Sequence, residues 1–410
     1  MLNSGDTSFI IICAALVFIM TPGLGFFYGG LGRRKNVVSN MMNSVFIMGV
    51  GIVLWIVVGY SEAFGGNTGG IIGSFDHLFM NGIDFTELSG TIPTYVFAIF
   101  QMMFALITPA IITGSVAGRI RFKALVIIVV VWSLIVYYPL AHMVWGEGGL
   151  LGGGWLESLD FAGGNVVHIS SGVSGLVLAL LVGKRQSYDA ISYRVHNIPF
   201  VMLGMALLWF GWFGFNAGSA LAANELAGHA FLVTALSAAA ALVSWMVIDV
   251  IREGKPTLIG ACTGAVAGLV GITPAAGFVP VYAALIIGLL VSPVCYFGII
   301  LVKKVLKIDD ALDAFGCHGI GGIFGGLMTG LFAKAAIGGT DGLVYGAPVQ
   351  LGKQALAIVI TILVAVIGTL VAAGIARIFT PLRASKEEEI SGLDSSQHGE
   401  SAYPSFYGLD

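Results

Sequence analysis

The chain has 410 residues, 57% of them hydrophobic and only 10% charged, with 59 glycines and a formal net charge of −3. A soluble globular domain carries about 25% charged residues and about 7% glycine, so this composition excludes a soluble enzyme, a disordered regulator and a nucleic-acid binder. Apolar stretches of about 20 residues follow one another almost to the end, the pattern of an all-α polytopic protein whose solvent is the lipid bilayer.

In chain order, eleven spans are expected, at roughly 9–31, 37–62, 94–117, 124–145, 162–183, 198–219, 228–251, 257–272, 279–302, 314–333 and 352–378. No soluble domain fits between them, and the N-terminus carries no basic region of a signal peptide. Arg33, Arg34, Lys35, Arg119, Arg121, Lys123, Lys184, Arg185, Arg194, Arg252, Lys255, Lys303, Lys304, Lys307, Arg377, Arg383 and Lys386 all fall on one side of this arrangement. Only Lys334 and Lys353 fall on the other, so the positive-inside rule predicts an outer N-terminus and a cytoplasmic C-terminus. Acidic residues such as Glu62, Asp84, Glu147 and Asp160 lean outward. Cys13, Cys262, Cys295 and Cys317 each sit alone in an apolar run and read as packing residues.

Spans 1–5 and 6–10 read as an inverted repeat, because an odd number of spans per half makes like halves run oppositely. Gly23-Leu-Gly-Phe-Phe-Tyr-Gly-Gly30 ends span 1, and Gly211-Trp-Phe-Gly-Phe-Asn-Ala-Gly218 ends span 6. Asp160 precedes His168 by the same interval that separates Asp310 from His318. Each Asp is a candidate helix N-cap, and the intervening helix rises about 12 Å. Entering a core of about 30 Å from opposite faces, the two histidines approach the midplane. Small residues around them, among them Gly172 and Gly319, allow their helices to close up. Ionisable groups at that depth mark function, and proton handling or hydrogen bonding to a small polar permeant fits the pair. A metal site needs three or four ligands, and His142 lies too near an outer end to be a third, so neither metal nor cofactor is expected.

Phe100 and Phe104 share one face of span 3, and Leu208, Trp212, Phe215 and Ser219 share one face of span 6. Together with Trp145 at the outer end of span 4, Phe104 and Ser219 can form a small cation site. A desolvated cation–π contact contributes about 2 kcal/mol there, and the hydroxyl oxygen accepts an N–H bond.

Four segments resemble the ammonium transporter/Rhesus protein family: Pro22-Gly-Leu-Gly-Phe-Phe-Tyr-Gly29, Asp160-Phe-Ala-Gly-Gly-Asn-Val-Val-His168, Gly211-Trp-Phe-Gly-Phe-Asn-Ala-Gly-Ser219 and Phe315-Gly-Cys-His-Gly319. The resemblance covers nearly the whole chain and points to the bacterial and archaeal Amt-type branch. It implies a homotrimer with one pore per subunit and ammonium, with methylammonium as an analogue, as substrate. By that resemblance Trp145, Phe104 and Ser219 form the outer ammonium site, and Phe100, or Phe104 with Phe215, forms an aromatic gate. His168 and His318 correspond to the family's twin-histidine pair, and Asp160 to its structural and recruitment aspartate, which Asp310 mirrors in the second half. Residues 1–383 then form the channel domain, and 384–410 a cytoplasmic tail through which such members respond to PII-type signalling proteins. An ammonium sensor and a Rhesus-type gas channel are the alternatives. No effector domain is read after the last span, which weighs against the sensor, and Trp145 with the Gly392-Leu-Asp and His398-Gly-Glu tail favours the ammonium-transporter branch over the gas channel.

Overall fold

The computed structural model describes residues 1–186, 188 and 195–403, so Arg194 and the end of the tail (404–410) lie outside the described residues. The chain is built from helices α1 (Ser4–Leu31), α2 (Arg34–Phe64), α3 (Thr94–Val116), α4 (Phe122–Trp145), α5 (Gly164–Val182), α6 (Ile198–Gly218) and α7 (Glu225–Glu253). Then come α8 (Leu258–Ile272), α9 (Val281–Val305), α10 (Phe315–Phe332) and α11 (Pro348–Phe379). Among the described residues, ten of these are long and apolar enough to cross a membrane. The eighth expected span is the exception, a helix of 15 residues, which rises only about 22 Å.

Burial explains that short helix. Every residue of α8 from Gly264 to Ile272 is buried, and α8 packs chiefly against α7, α9 and α6. It is apolar all round because protein surrounds it. Helix α3 is the same case, buried without interruption from Phe100 to Ile112. Helix α11 is instead two-faced: Ala357, Ala365 and Ala372 are buried while Val359, Leu363, Ile367 and Leu370 are exposed. An exposed row of large apolar residues is what a lipid-facing surface requires. Helix α1 breaks at Ile19, four residues after Ala15 and just before Pro22, whose missing N–H and ring interrupt the helical ladder.

Helices α5 and α10 both open with a π-turn, Gly164–Ile169 and Phe315–Gly319. Such turns collect at functional positions, and each of these holds one of the two central histidines. The two helices pack directly on each other. A Cβ on Gly172 would collide with the backbone of Gly319, so only glycine permits this approach.

The tail is folded onto the protein. Helix α12 (Lys386–Ser391) begins with a capping box between Ser385 and Glu388. Lys35 Nζ donates to the carbonyls of Glu389 and Ile390 at 2.7 and 2.5 Å. Ser39 N–H donates to Asp394 Oδ1 at 2.8 Å, Phe122 N–H to Gln397 Oε1 at 2.7 Å and Leu393 N–H to Asn36 Oδ1 at 2.9 Å. Thus the tail bridges the start of α2, which holds Lys35, Asn36 and Ser39, and the start of α4. All four cysteines are buried free thiols, in keeping with a packing role.

Candidate functional site

A cavity of about 300 Å³ lies at the C-terminal end of α4, lined by Trp145, Phe104, Ser219, Phe97, Gln101, Val144, Phe161 and Leu221. The three residues expected to form a cation site therefore share one cavity. Phe104 and Trp145 meet edge to face, with ring centroids 5.8 Å apart. Trp145 Nε1–H donates to the Asp160 carbonyl at 3.0 Å, which fixes the indole plane. Ser219 Oγ–H donates to the Phe215 carbonyl at 2.9 Å. With its proton committed to the helix, the hydroxyl offers lone pairs to an N–H donor.

Below the cavity the rings of Phe104 and Phe215 lie 4.3 Å apart at 37°. Phe100 meets Phe104 edge-on at 5.0 Å, and its ring fills the space beside Gly218. Of the two expected arrangements, Phe104 and Phe215 are the closer and more nearly parallel pair, with Phe100 set edge-on against Phe104.

Past Phe215 a narrow cavity of about 10 Å³ is lined by His168, His318, Met20, Leu24, Ile107, Ile111, Val167, Leu208, Trp212 and Phe215. That is about the room one water needs. His168 Nδ1 and His318 Nδ1 are 3.2 Å apart, and the rings are stacked at 5.3 Å. One Nδ1 must carry the proton and the other accept it. In the neutral pair, one Nε2 is then an acceptor and the other a donor. His168 stacks on Trp212 at 5.3 Å, and Trp212 Nε1–H is tied to Thr273 Oγ1 at 2.9 Å, so the imidazole plane is held from behind. His168 Nε2 is buried without a protein partner.

The family model for the Ammonium Transporter Family matches residues 8–403. The chain is 49% identical to the ammonium transporter of Bacillus subtilis strain 168, over 98% of this chain and 99% of that protein. It is 44% identical to the ammonium transporter Amt1 of Archaeoglobus fulgidus, over 98% of this chain and 100% of that one. Its fold is similar to the crystal structure of Saccharomyces cerevisiae Mep2, with a TM-score of 0.89, 36% identity and coverage of 99% and 93%. It is also similar to a structure named Sensor Amt Protein, with a TM-score of 0.88, 30% identity and coverage of 96% and 98%. The chain belongs to the ammonium transporter family. It is thus a multi-pass membrane protein of a transporter family, not an enzyme.

In this family member the two aspartates are engaged with protein. Asp160 Oδ1 accepts from the N–H groups of Gly163 and Gly164 at 2.8 and 2.6 Å, and Oδ2 from Asn165 at 2.7 Å. These are orphan donors at the start of α5, so Asp160 caps the helix that carries His168 and is not among the residues lining the Trp145 cavity. Asp310 Oδ2 likewise accepts from Phe315 and Gly316 at 2.9 and 3.2 Å, while Oδ1 accepts from Ser115 Oγ at 2.7 Å. Beside it, Arg185 forks onto the Asp309 carboxylate at 2.6 and 2.8 Å. Burial opposes ionisation of Asp309, yet the guanidiniums of Arg119 and Arg185 hold its carboxyl below the ordinary value.

Sequence reasoning missed Phe97 and Gln101, although they share the helical face of Phe104 in α3. It also missed Phe161 and Leu221, which reach the cavity from turns that no periodicity describes. His196 and His398, given no role from sequence, both pack against tail contacts: His196 Nε2 lies 3.1 Å from Tyr403 Oη, and His398 sits edge-on to Phe122 at 5.1 Å.

Proposed function

We propose that this chain is an ammonium transporter that captures NH4+ among Trp145, Phe104 and Ser219, deprotonates it near Phe215 and passes NH3 along His168 and His318. The observation that carries this reading is the single file of outer cavity, paired phenylalanines and bridged histidines described above. Aromatic faces and a hydroxyl acceptor suit a small cation, whereas the lumen beyond them is apolar apart from the two imidazoles and the indole N–H of Trp212, which Thr273 already accepts.

Magnitudes favour deprotonation over passage of the ion. Burying a bare ion in a low-dielectric interior costs tens of kcal/mol. Ammonium's pKa lies within about a unit of lysine's, so at neutral pH its proton is removed for about 3–6 kcal/mol. Potassium, with the same charge and no proton to give, meets the full cost. Ammonia in the lumen has three donors and one acceptor, and the neutral imidazole pair presents one complementary acceptor and one donor.

In the same reading the chain has eleven spans with an outer N-terminus, α8 being the short one, and its halves α1–α5 and α6–α10 are inverted repeats. The matched caps at Asp160 and Asp310 and the matched π-turns support the repeat. Residues 1–383 form the channel domain, working as a homotrimer in the cell membrane, and 384–410 form a cytoplasmic tail that receives a PII-type protein. The test is current and uptake recording on reconstituted protein in ammonium, methylammonium and potassium gradients. Ammonium-dependent flux with potassium excluded is expected, and equal conduction of potassium would refute the mechanism.

A further inference from the structure

Leu221 stands two residues beyond Ser219 and lines the same cavity as Phe104 and Trp145. Its φ is +56°, the left-handed region in which a bulky L-residue is disfavoured and glycine would be relaxed. Phe79, Met80, Glu157, Lys307 and Asp313 also have positive φ, but none of these lines the outer cavity. Such a conformation persists only where its surroundings over-determine it. Here both sides of the turn are tied: Leu221 N–H donates to the Gly218 carbonyl at 2.9 Å, and Ala223 N–H donates to Asp6 Oδ1 at 2.9 Å. The strained turn keeps a branched apolar side chain at the cavity wall.

The cavity's chemistry gives that wall a task. Aromatic faces attract methylated ammonium ions as readily as ammonium itself, and aromatic cages are used to recognise them. Phe104 and Trp145 therefore cannot by themselves prefer the unsubstituted ion. Ser219 supplies one acceptor, which methylammonium also satisfies with its remaining N–H groups. Discrimination must come from the room available. Phe161, the aromatic wall that sequence reasoning missed, is accounted for by packing, since it is seated against Phe278 at 5.9 Å and fills the space over Gly277. Leu221 packs only in part against the main core and stays half-buried where it lines the cavity.

We propose that Leu221 is a specificity-determining residue of the outer site, restricting the space beside the bound cation so that methylated ammonium ions are disfavoured against ammonium. This rests on the ammonium-transport reading above. The experiment compares wild type, Leu221→Gly and Leu221→Ala in proteoliposomes, measuring kcat/KM for methylammonium and for ammonium together with the thermal midpoint of each purified protein. One methyl group in an apolar pocket is worth roughly 10-fold or more in discrimination, so the methylammonium-to-ammonium ratio should rise about 10-fold in Leu221→Gly and less in Leu221→Ala. Leu221→Gly relieves the left-handed strain and should melt no lower than wild type; should it fail to assemble, Leu221→Ala alone carries the test. A purely structural leucine would shift the midpoint and both substrates together, leaving the ratio where it was. An unchanged ratio in folded variants overturns the proposal while the wild-type ammonium signal stands. Absence of ammonium transport by wild type overturns the underlying reading, and this inference with it.

Discussion

Replacing His168 and His318 together by leucine is the sharpest perturbation of the lumen. Leucine keeps the cavity apolar and nearly filled, where alanine would open room for several waters to take over the lost hydrogen bonds. All other lining side chains are apolar except for the indole N–H of Trp212, and that donor is already bound to Thr273. Ammonia passing the double variant therefore loses its one acceptor and its one donor. Each unmet bond in such a site costs about 1–3 kcal/mol, about 2–6 kcal/mol in all. At tenfold per 1.36 kcal/mol, flux should fall by at least about 30-fold and by as much as about 10⁴-fold. The assay is ammonium-evoked current and uptake in proteoliposomes, with size-exclusion chromatography to establish that the variant folds and assembles. An acidic residue at either position should instead retain some flux and admit potassium, because a fixed charge draws water into the lumen. Wild-type ammonium flux with potassium excluded in the folded double variant would refute the reasoning.

Trp145→Leu removes a cation–π face at a half-buried position, worth about 1–2 kcal/mol. The half-saturating ammonium concentration should rise about 5- to 30-fold, and an unchanged concentration dependence of uptake would remove Trp145 from the site. Truncation at Ser385 deletes α12 and every tail contact to Lys35, Ser39 and Phe122; pull-down of PII-type proteins should weaken, and undiminished binding would count against a receiving role for the tail. Burial holds His196 and His398 below the ordinary histidine value, so the docked tail binds fewer protons than the released one. Docking should therefore be intact above about pH 6.5 and be lost progressively as pH falls below it, read as faster hydrogen exchange or proteolysis in 386–398. Protection that does not change with pH would show that neither histidine couples to docking.

The spans were legible because a bilayer imposes one demand on every residue that crosses it, and ten of the expected stretches are helices of spanning length. The paired histidines were legible for a related reason: a capping Asp fixes where a helix starts, and a fixed count from the cap fixes depth. What escaped were features set by backbone irregularity and by contacts between distant segments. The π-turns around His168 and His318 have no composition of their own, and Leu221 reaches the cavity through a strained turn. The tail reads in sequence as a polar run, yet its hold on the starts of α2 and α4 depends on main-chain carbonyls capped by Lys35 and on carboxylate and amide groups reaching N–H donors. Single residues in a sequence do not announce such partners.

The same distinction bears on the aspartates. A carboxylate at the mouth of a cation pathway invites a recruiting role, and the outward lean of acidic residues encourages it. Asp160, however, has both oxygens committed to the N–H groups of Gly163, Gly164 and Asn165, and its carbonyl holds the Trp145 indole. One residue thus sets the start of the helix bearing His168 and the plane of the aromatic ring at the outer site. Asp310 does the first of these for His318 and, through Ser115, ties α10 to α3, the helix that carries Phe104. The outer site and the histidines are therefore positioned through shared caps. In the proposed mechanism the contribution of Asp160 to ammonium capture is geometric: it places the Trp145 ring and the helix that carries His168.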